Sequence, residues 1–357
     1  PTSFVQVESS TGTQRHLILR DIEMGRARQH AKVDHVHCPA DFAPENGLSG
    51  DRETATAQAT AELLKQTHVS SVRVDRSLPF IFAHEIMLTG VQISYDEELG
   101  VTNRRMKDSS EVEHLQHAQS TTETVMRLAC ETIARAAIAD DGTLINDDGP
   151  LTSESIRGLI DNWLLANDFE NPRSIVACGP TGADCHDYGT GPISTGQPVI
   201  VDIFPKSRLS GYYGDCTRTV VHGSISPQLQ LMNETVRAAK AAGISATQTG
   251  ATGEDVHKAT IARIHDGGFA TGLPTDSDPD TYCAMTHGTG HGVGLEVHEP
   301  PLLDFNGPPL LKGDCLTIEP GLYCRAVGGV RVEDMVIVTD DGCRNLNSLY
   351  EGLEWNE

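Results

Sequence analysis

The chain has 357 residues, enough for about two domains and for a core that needs no disulfide or structural metal to hold it. Fifty acidic against 27 basic residues give a net charge of −23, which repels phosphate backbones and argues against a nucleic-acid partner. With no apolar run near the ~20 residues of a membrane span, no signal-peptide pattern over Pro1–Ser10 and nine scattered cysteines without a CxxC pair, a reduced cytoplasmic chain with no membrane partner is expected.

From the N-terminus, apolar runs at Leu17–Leu19, Val72–Val74 and Ile81–Phe82 alternate with helix-like stretches such as Thr54–Gln66, which predicts a small α/β domain over 1–106. At Lys107 the texture changes. Ser110 followed by Glu113 has the spacing of a capping box, and a helical pattern then runs to about Ala139, opening a second domain over 107–357. The acidic stretches Asp140–Asp141, Asp147–Asp148 and Asp276–Asp280 sit beside Gly or Pro and read as solvated turns rather than metal sites. Thr152 or Ser153 caps a helix with Ile156, Leu159, Ile160, Trp163 and Leu164 on one face, and Thr252 caps another carrying Val256, Ala259 and Ile264. Short β-like runs at Ser174–Cys178, Val199–Phe204, Thr217–Val221, Leu316–Ile318, Gly329–Val332 and Met335–Val338 make this domain mixed α/β.

Carboxylates interrupt these runs. Asp202 lies inside Val199-Ile200-Val201-Asp202-Ile203-Phe204, Glu319 follows Leu316-Thr317-Ile318, and Glu333 follows Val330-Arg331-Val332. An ionised carboxylate is not buried cheaply without a partner. Taken singly, each reads equally well as a strand-end residue facing solvent. Together with Asp215, in Gly214-Asp215-Cys216-Thr217-Arg218, they outnumber the nearby bases, which are Arg218 and Arg331. Convergence on a cation accounts for all four.

A second ligand type comes from the segment His287-Gly288-Thr289-Gly290-His291-Gly292-Val293-Gly294-Leu295-Glu296-Val297-His298-Glu299. Three imidazoles threaded with glycines suit side chains converging on a site, because glycine permits close backbone approach. The spacing is neither the phosphate-binding GxGxxG nor the zinc helix HExxH. An oxygen-rich set with one imidazole favours Mn²⁺, with Co²⁺, Fe²⁺ or Zn²⁺ as alternatives. Four carboxylates exceed the needs of one catalytic ion and suit two ions ~3.5–4 Å apart.

These residues, in this order, resemble the pita-bread metallopeptidases: methionine aminopeptidase, prolidase and aminopeptidase P. The run from His287 to Glu299 is similar to the family's proline-peptidase signature. Ile318-Glu319-Pro320-Gly321-Leu322-Tyr323 and Val330-Arg331-Val332-Glu333-Asp334 resemble its two later ligand segments. The likeness covers roughly Lys107 to the C-terminus. It implies an α+β pita-bread (creatinase/aminopeptidase) fold behind a smaller N-terminal α/β domain, and a homodimer. It also implies two divalent ions, Asp202 on one, His291 and Glu319 on the other, Asp215 and Glu333 on both. Glu319 would handle the proton of a metal-bridging hydroxide, His298 would meet the scissile carbonyl, His287 and His186 would line the substrate side, and Arg331 would support the site. Two features depart from the family. The Asp202-to-Asp215 segment is longer, and Asp202-Ile203-Phe204-Pro205 replaces a small Asp-x-Gly start.

The resemblance therefore implies an exopeptidase cleaving the Xaa-Pro bond of a peptide substrate, at an N-terminus or in a dipeptide. Two other readings stay open. One keeps fold and metals but acts on a non-proline peptide or a small non-peptide molecule, as a hydrolase or lyase. The other is a non-catalytic binding protein on the same fold, which the five ligands argue against.

Overall fold

The computed structural model describes residues 1–9, 12–147 and 149–356, and the chain divides into two compact units, Pro1–Thr102 and Asn103–Glu357. The division falls four residues ahead of Lys107, inside the short helix Val101–Arg105.

In the first unit, strands Ser3–Ser9 and Gly12–Ile18 pair antiparallel, and His35–His37 adds a parallel third. Helix Arg52–Gln66, capped by the Asp51 carboxylate, presents Ala59 and Leu63 to Ile18. Ala61 and Leu64, also buried, meet Ile86 and Val91 from the crossover between the parallel strands Ser71–Val74 and Gln92–Tyr95. Ile81 and Phe82 lie in the helix Phe80–Leu88 of that crossover, so their apolar run is helical.

The second unit opens on helix Ser109–Ala134, whose cap is Asp108 paired reciprocally with Glu111 rather than the expected Ser110 and Glu113. An Asp at this position accepts an N–H that the helix cannot satisfy itself. The helix stops at Ala134, short of Ala139, because residues 137–138 turn into a strand. Leu115, Ala118, Thr122, Val125, Met126, Ala129 and Ile133 form its buried stripe. Helix Ser153–Ala166 is capped by Thr152, with Ile156, Ile160 and Leu164 fully buried. Ser226 and Pro227 start a helix over Pro227–Ala246, and Thr252 caps Gly253–Asp266. Asp140 and Asp141 are exposed in a turn, as is most of Asp276–Asp280. Asp147 is exposed too, and its neighbour Asp148 lies outside the described residues.

Three sheets carry the interior of this unit. Ile175–Cys178, Pro198–Ile203 and Cys216–Val221 form an antiparallel trio, and Pro198–Ile203 is buried on both faces. The second sheet runs in the order Ala270–Thr271, Cys283–Met285, Gly321–Cys324, Gly328–Arg331. The third has Gly290–Gly292 between Glu299–Leu303 and Cys315–Ile318, followed by Asp334–Thr339 and Gly342–Asn345. Each β-like run expected from the sequence lies within one of these strands to within a residue or two. Glycine makes the crossings possible: a Cβ on Gly290 would sit 2.0 Å from the Thr317 carbonyl oxygen.

Candidate metal centre

The antiparallel pairing of Pro198–Ile203 with Cys216–Val221 sets Asp202 opposite Thr217. Asp215, two residues before Thr217, therefore shares its side of the sheet. The longer connection between the two aspartates has a local cause: Lys206–Ser207 forms a strand pair with Phe169–Glu170 before the chain returns. Asp215 is held by its backbone, since its N–H donates to Gln119 Oε1 at 2.8 Å and its carbonyl accepts from Gln119 Nε2 at 2.7 Å. Glu319 leaves strand Cys315–Ile318 with its N–H on the Thr289 carbonyl, and Glu333 leaves Gly328–Arg331 with its N–H on the Thr217 carbonyl. The first bond holds neighbouring strands of the third sheet together, and the second ties the end of Gly328–Arg331 to the antiparallel trio.

Asp202, Asp215, His291, Glu319 and Glu333 all line one cavity of about 510 Å³, together with His186, His287, His298 and Arg331. All nine residues singled out in the sequence converge there. Asp202, Asp215, His291 and Glu333 are buried and Glu319 is half-buried, whereas His186 and His298 are exposed at its mouth. Phe204, Tyr188, Leu302 and Asp304 are among the other residues of its walls.

Arg331 is the main structural support. It donates to Asp202 Oδ2 at 2.6 Å, the Tyr323 hydroxyl at 2.9 Å, Thr217 Oγ1 at 3.1 Å and the Cys185 carbonyl at 3.2 Å. Thr217 in turn donates to Glu333 Oε2 at 2.7 Å, and Thr317 donates to Glu319 Oε1 at 3.1 Å. Arg218 belongs elsewhere: it pairs with Asp334 at 2.8 Å, beside Lys240. One guanidinium therefore faces four carboxylates.

The remaining charge calls for a cation. Burial, followed by repulsion from Glu333, Asp202 and Glu319, pushes the Asp215 carboxyl well above its usual range. Burial and the neighbouring Glu319 and Asp202 do the same to Glu333, and burial raises Glu319. His291 Nδ1 lies 3.1 Å from the Gly292 carbonyl, which must accept, so Nδ1 carries the proton and Nε2 keeps its lone pair. That lone pair faces Glu319 Oε1 at 3.4 Å and Asp215 Oδ2 at 3.8 Å. Acceptors facing acceptors repel unless a proton or metal ion lies between them. Asp202 Oδ1 is buried with no hydrogen-bond partner. Asp215, His291 and Glu333 each offer an atom within 4.8 Å of the others, a group able to hold a metal ion. The donor set fits a divalent cation, and the backbone bond on His291 Nδ1 is the usual way of orienting such a ligand.

His287 differs from the other imidazoles. Its Nδ1 donates to the Gly288 carbonyl at 2.8 Å, so Nε2 accepts from the Tyr323 hydroxyl at 2.7 Å. Both nitrogens are engaged within the protein, and its link to the centre runs through Tyr323 and Arg331. His298 stacks edge-on against His291 with ring centroids 4.3 Å apart. Burial lowers the pKa of all three imidazoles.

Comparison with known proteins decides the family. Residues 113–340 match the model of metallopeptidase family M24. The chain belongs to this family. The putative dipeptidase YkvY of Bacillus subtilis is 29% identical over 266 residues, 74% of this chain and 66% of that protein. The Xaa-Pro dipeptidase of Pyrococcus furiosus is 28% identical over 233 residues, 64% of this chain and 62% of the relative. The matched segments thus span less than two thirds of these relatives' length. The structure of an Xaa-Pro dipeptidase from Bacillus anthracis superposes with a TM-score of 0.79 at 22% identity, over 98% of this chain and 88% of that one. The M24 chain accordingly has the pita-bread fold. Among its described residues no helix is long and apolar enough to cross a membrane.

Proposed function

We propose that this M24 chain is a dinuclear metal-dependent exopeptidase that hydrolyses the Xaa-Pro bond at peptide N-termini or in dipeptides. The observation that carries the reading is the convergence of Asp202, Asp215, His291, Glu319 and Glu333 on one cavity beside His186 and His298. Five donors with four carboxylates suit two ions of the Mn²⁺ class. Asp202 would serve one ion, His291 and Glu319 the other, and Asp215 and Glu333 both. Bound ions would supply Lewis acidity, lowering the pKa of the attacking water and polarising the scissile carbonyl.

The chain's own groups do the rest. Glu319, half-buried at the cavity wall, accepts the proton of the attacking water and returns it to the leaving nitrogen. His298 and His186, exposed at the mouth, are the imidazoles whose N–H groups are open to the substrate carbonyls. His287 holds Tyr323, which shares Arg331 with Asp202 and so fixes the acid rather than the substrate. An Xaa-Pro bond has no N–H to offer, so recognition falls on ring shape, with Phe204 and Leu302 as apolar wall. Relatives named Xaa-Pro dipeptidase support this substrate, and others are named dipeptidase without mention of proline.

The deciding measurement is kcat/KM for Ala-Pro and Ala-Pro-Ala against Ala-Ala and Met-Ala-Ser, on metal-stripped protein reloaded with Mn²⁺. Proline substrates are expected to be turned over faster. Faster cleavage of either non-proline peptide removes the proline specificity and leaves a general M24 peptidase. No hydrolysis with any metal, despite binding, favours a non-catalytic role.

A further inference from the structure

Cys283 and Cys324 face each other across two antiparallel strands, in a pairing that the proposed chemistry does not use. Strands Cys283–Met285 and Gly321–Cys324 pair with Cys283 directly opposite Cys324 and Ala284 opposite Tyr323. Directly opposed residues in an antiparallel ladder have Cα atoms roughly 4.5–5.5 Å apart, inside the roughly 4.4–6.8 Å that a disulfide spans. Cys324 Sγ donates to the Asp280 carbonyl at 3.4 Å and accepts from Gln228 Nε2 at 3.9 Å, and the first of these bonds is given up when the thiol loses its proton. Both cysteines are free, Cys324 buried and Cys283 half-buried, so only Cys283 is open to a small reagent.

We propose that Cys283 and Cys324 are a reversible disulfide pair, closed by exchange with a small disulfide, which clamps the strands leading to His287 and carrying Tyr323. In the first step the Cys283 thiolate attacks the disulfide reagent, forming a mixed disulfide and releasing one thiolate. In the second, the Cys324 thiolate displaces the remaining reagent thiolate from Cys283. Each cysteine gives up one proton, and the reagent is reduced to two thiols. The clamp lies one ladder position from Tyr323, whose hydroxyl holds both His287 and Arg331. Burial and the neighbouring Cys324 push the Cys283 thiol up to about 12. Closure is therefore slow at neutral pH and accelerates as pH rises, because the thiolate is the attacking species.

The test uses the metal-loaded full chain incubated with oxidised glutathione at pH 7 and pH 9, trapped with iodoacetamide and digested for mass spectrometry. The expected product is a peptide pair joined through Cys283 and Cys324, two hydrogens lighter than the reduced peptides, reopened by dithiothreitol and formed faster at pH 9. The linked protein is expected to melt roughly 5 °C or more above the reduced one, since the cross-link closes a long stretch of chain. Cys324→Ser is expected to stop at the glutathione adduct on Cys283. Complete alkylation of both thiols, a stable adduct on wild-type Cys283 without the link, or a link that leaves the melting temperature unchanged overturns the proposal. These readouts need no peptidase activity, so they stand apart from the substrate assay.

Discussion

At the scale of single residues, the imidazoles of the cavity divide into those exposed and those already engaged within the protein. His298 is exposed over His291, whereas the nitrogens of His287 are taken by Gly288 and Tyr323. If His298 stabilises the developing oxyanion, His298→Ala lowers kcat by roughly 10²–10³ while metal content is unchanged. Loss of metal with the activity would make it a ligand instead, and elemental analysis of the purified variant distinguishes the two. Gln119 meets the candidate ligands at Asp215. Its amide satisfies both backbone groups of that residue, and its Nε2 also reaches Asn347 Oδ1 at 2.9 Å. Gln119→Leu keeps the volume but leaves a buried N–H and a buried carbonyl without partners, at about 1–3 kcal/mol each. The expected loss is roughly 2–6 kcal/mol in denaturant unfolding, with metal affinity weakened by roughly 10–100-fold. A variant with wild-type stability and wild-type Mn²⁺ affinity would show that Gln119 does not position the ligand.

At the scale of elements, close approach rather than propensity sets the centre. A Cβ on Gly214 would lie 2.3 Å from Thr122 Oγ1 and 2.7 Å from the Ala118 carbonyl oxygen, so the residue before Asp215 is pressed against helix Ser109–Ala134. Gly214→Ala collides with backbone that no side-chain rotation can clear, and a loss of roughly 1–3 kcal/mol is expected. Gly158, inside helix Ser153–Ala166, has nothing within 4 Å of its Cβ position. Gly158→Ala is expected to stabilise by roughly 0.5–1 kcal/mol, since alanine loses less backbone freedom in a helix. Paired urea titrations check both, and equal effects of the two substitutions would refute the packing argument. The same contrast explains what the sequence makes legible. Apolar runs rich in Val and Ile mark the buried strands, and acids set among them mark Asp202, Glu319 and Glu333. Thr152 and Thr252 mark helix starts because capping is local. Gln119 carries no local signal, its partner lying 96 positions away. Strand Gly290–Gly292 is equally silent, since glycines there serve approach and not β-propensity. Tyr323 stands in the open after Glu319, but its bond to His287 depends on a pairing between distant strands.

At the scale of the whole molecule, all five candidate ligands lie in the second unit, while the first carries a different titratable group. His16, His35 and His37 stack on one face of its three-stranded sheet, with ring centroids 4.7 to 5.9 Å apart. His16 Nδ1 and His37 Nε2 share one proton at 3.2 Å, Phe42 lies edge-on to His37, and the nearby carboxylates are Asp34 and Asp41. His16 Nε2 is buried without a partner. Burial, then its neighbours His35 and His37, lowers the His16 pKa, and burial outweighs the pull of Asp41 to lower that of His37. The sign follows from linkage. A base whose folded pKa lies below its unfolded value of about 6.5 binds fewer protons folded than unfolded. Stability is therefore whole well above that value and falls as pH drops through it towards the folded pKa. Amide exchange in Gly12–Ile18 and His35–His37, corrected for intrinsic rates, is expected to lose protection between pH 7.5 and 5.5. Helix Ser153–Ala166, in the second unit, is the internal control. His16→Leu removes the shared proton and one buried imidazole, so its strands are expected to respond less to acid than those of the native chain. Protection that is flat with pH in the native strands, or an undiminished acid response in the variant, would show that the stacked imidazoles stay neutral without energetic consequence.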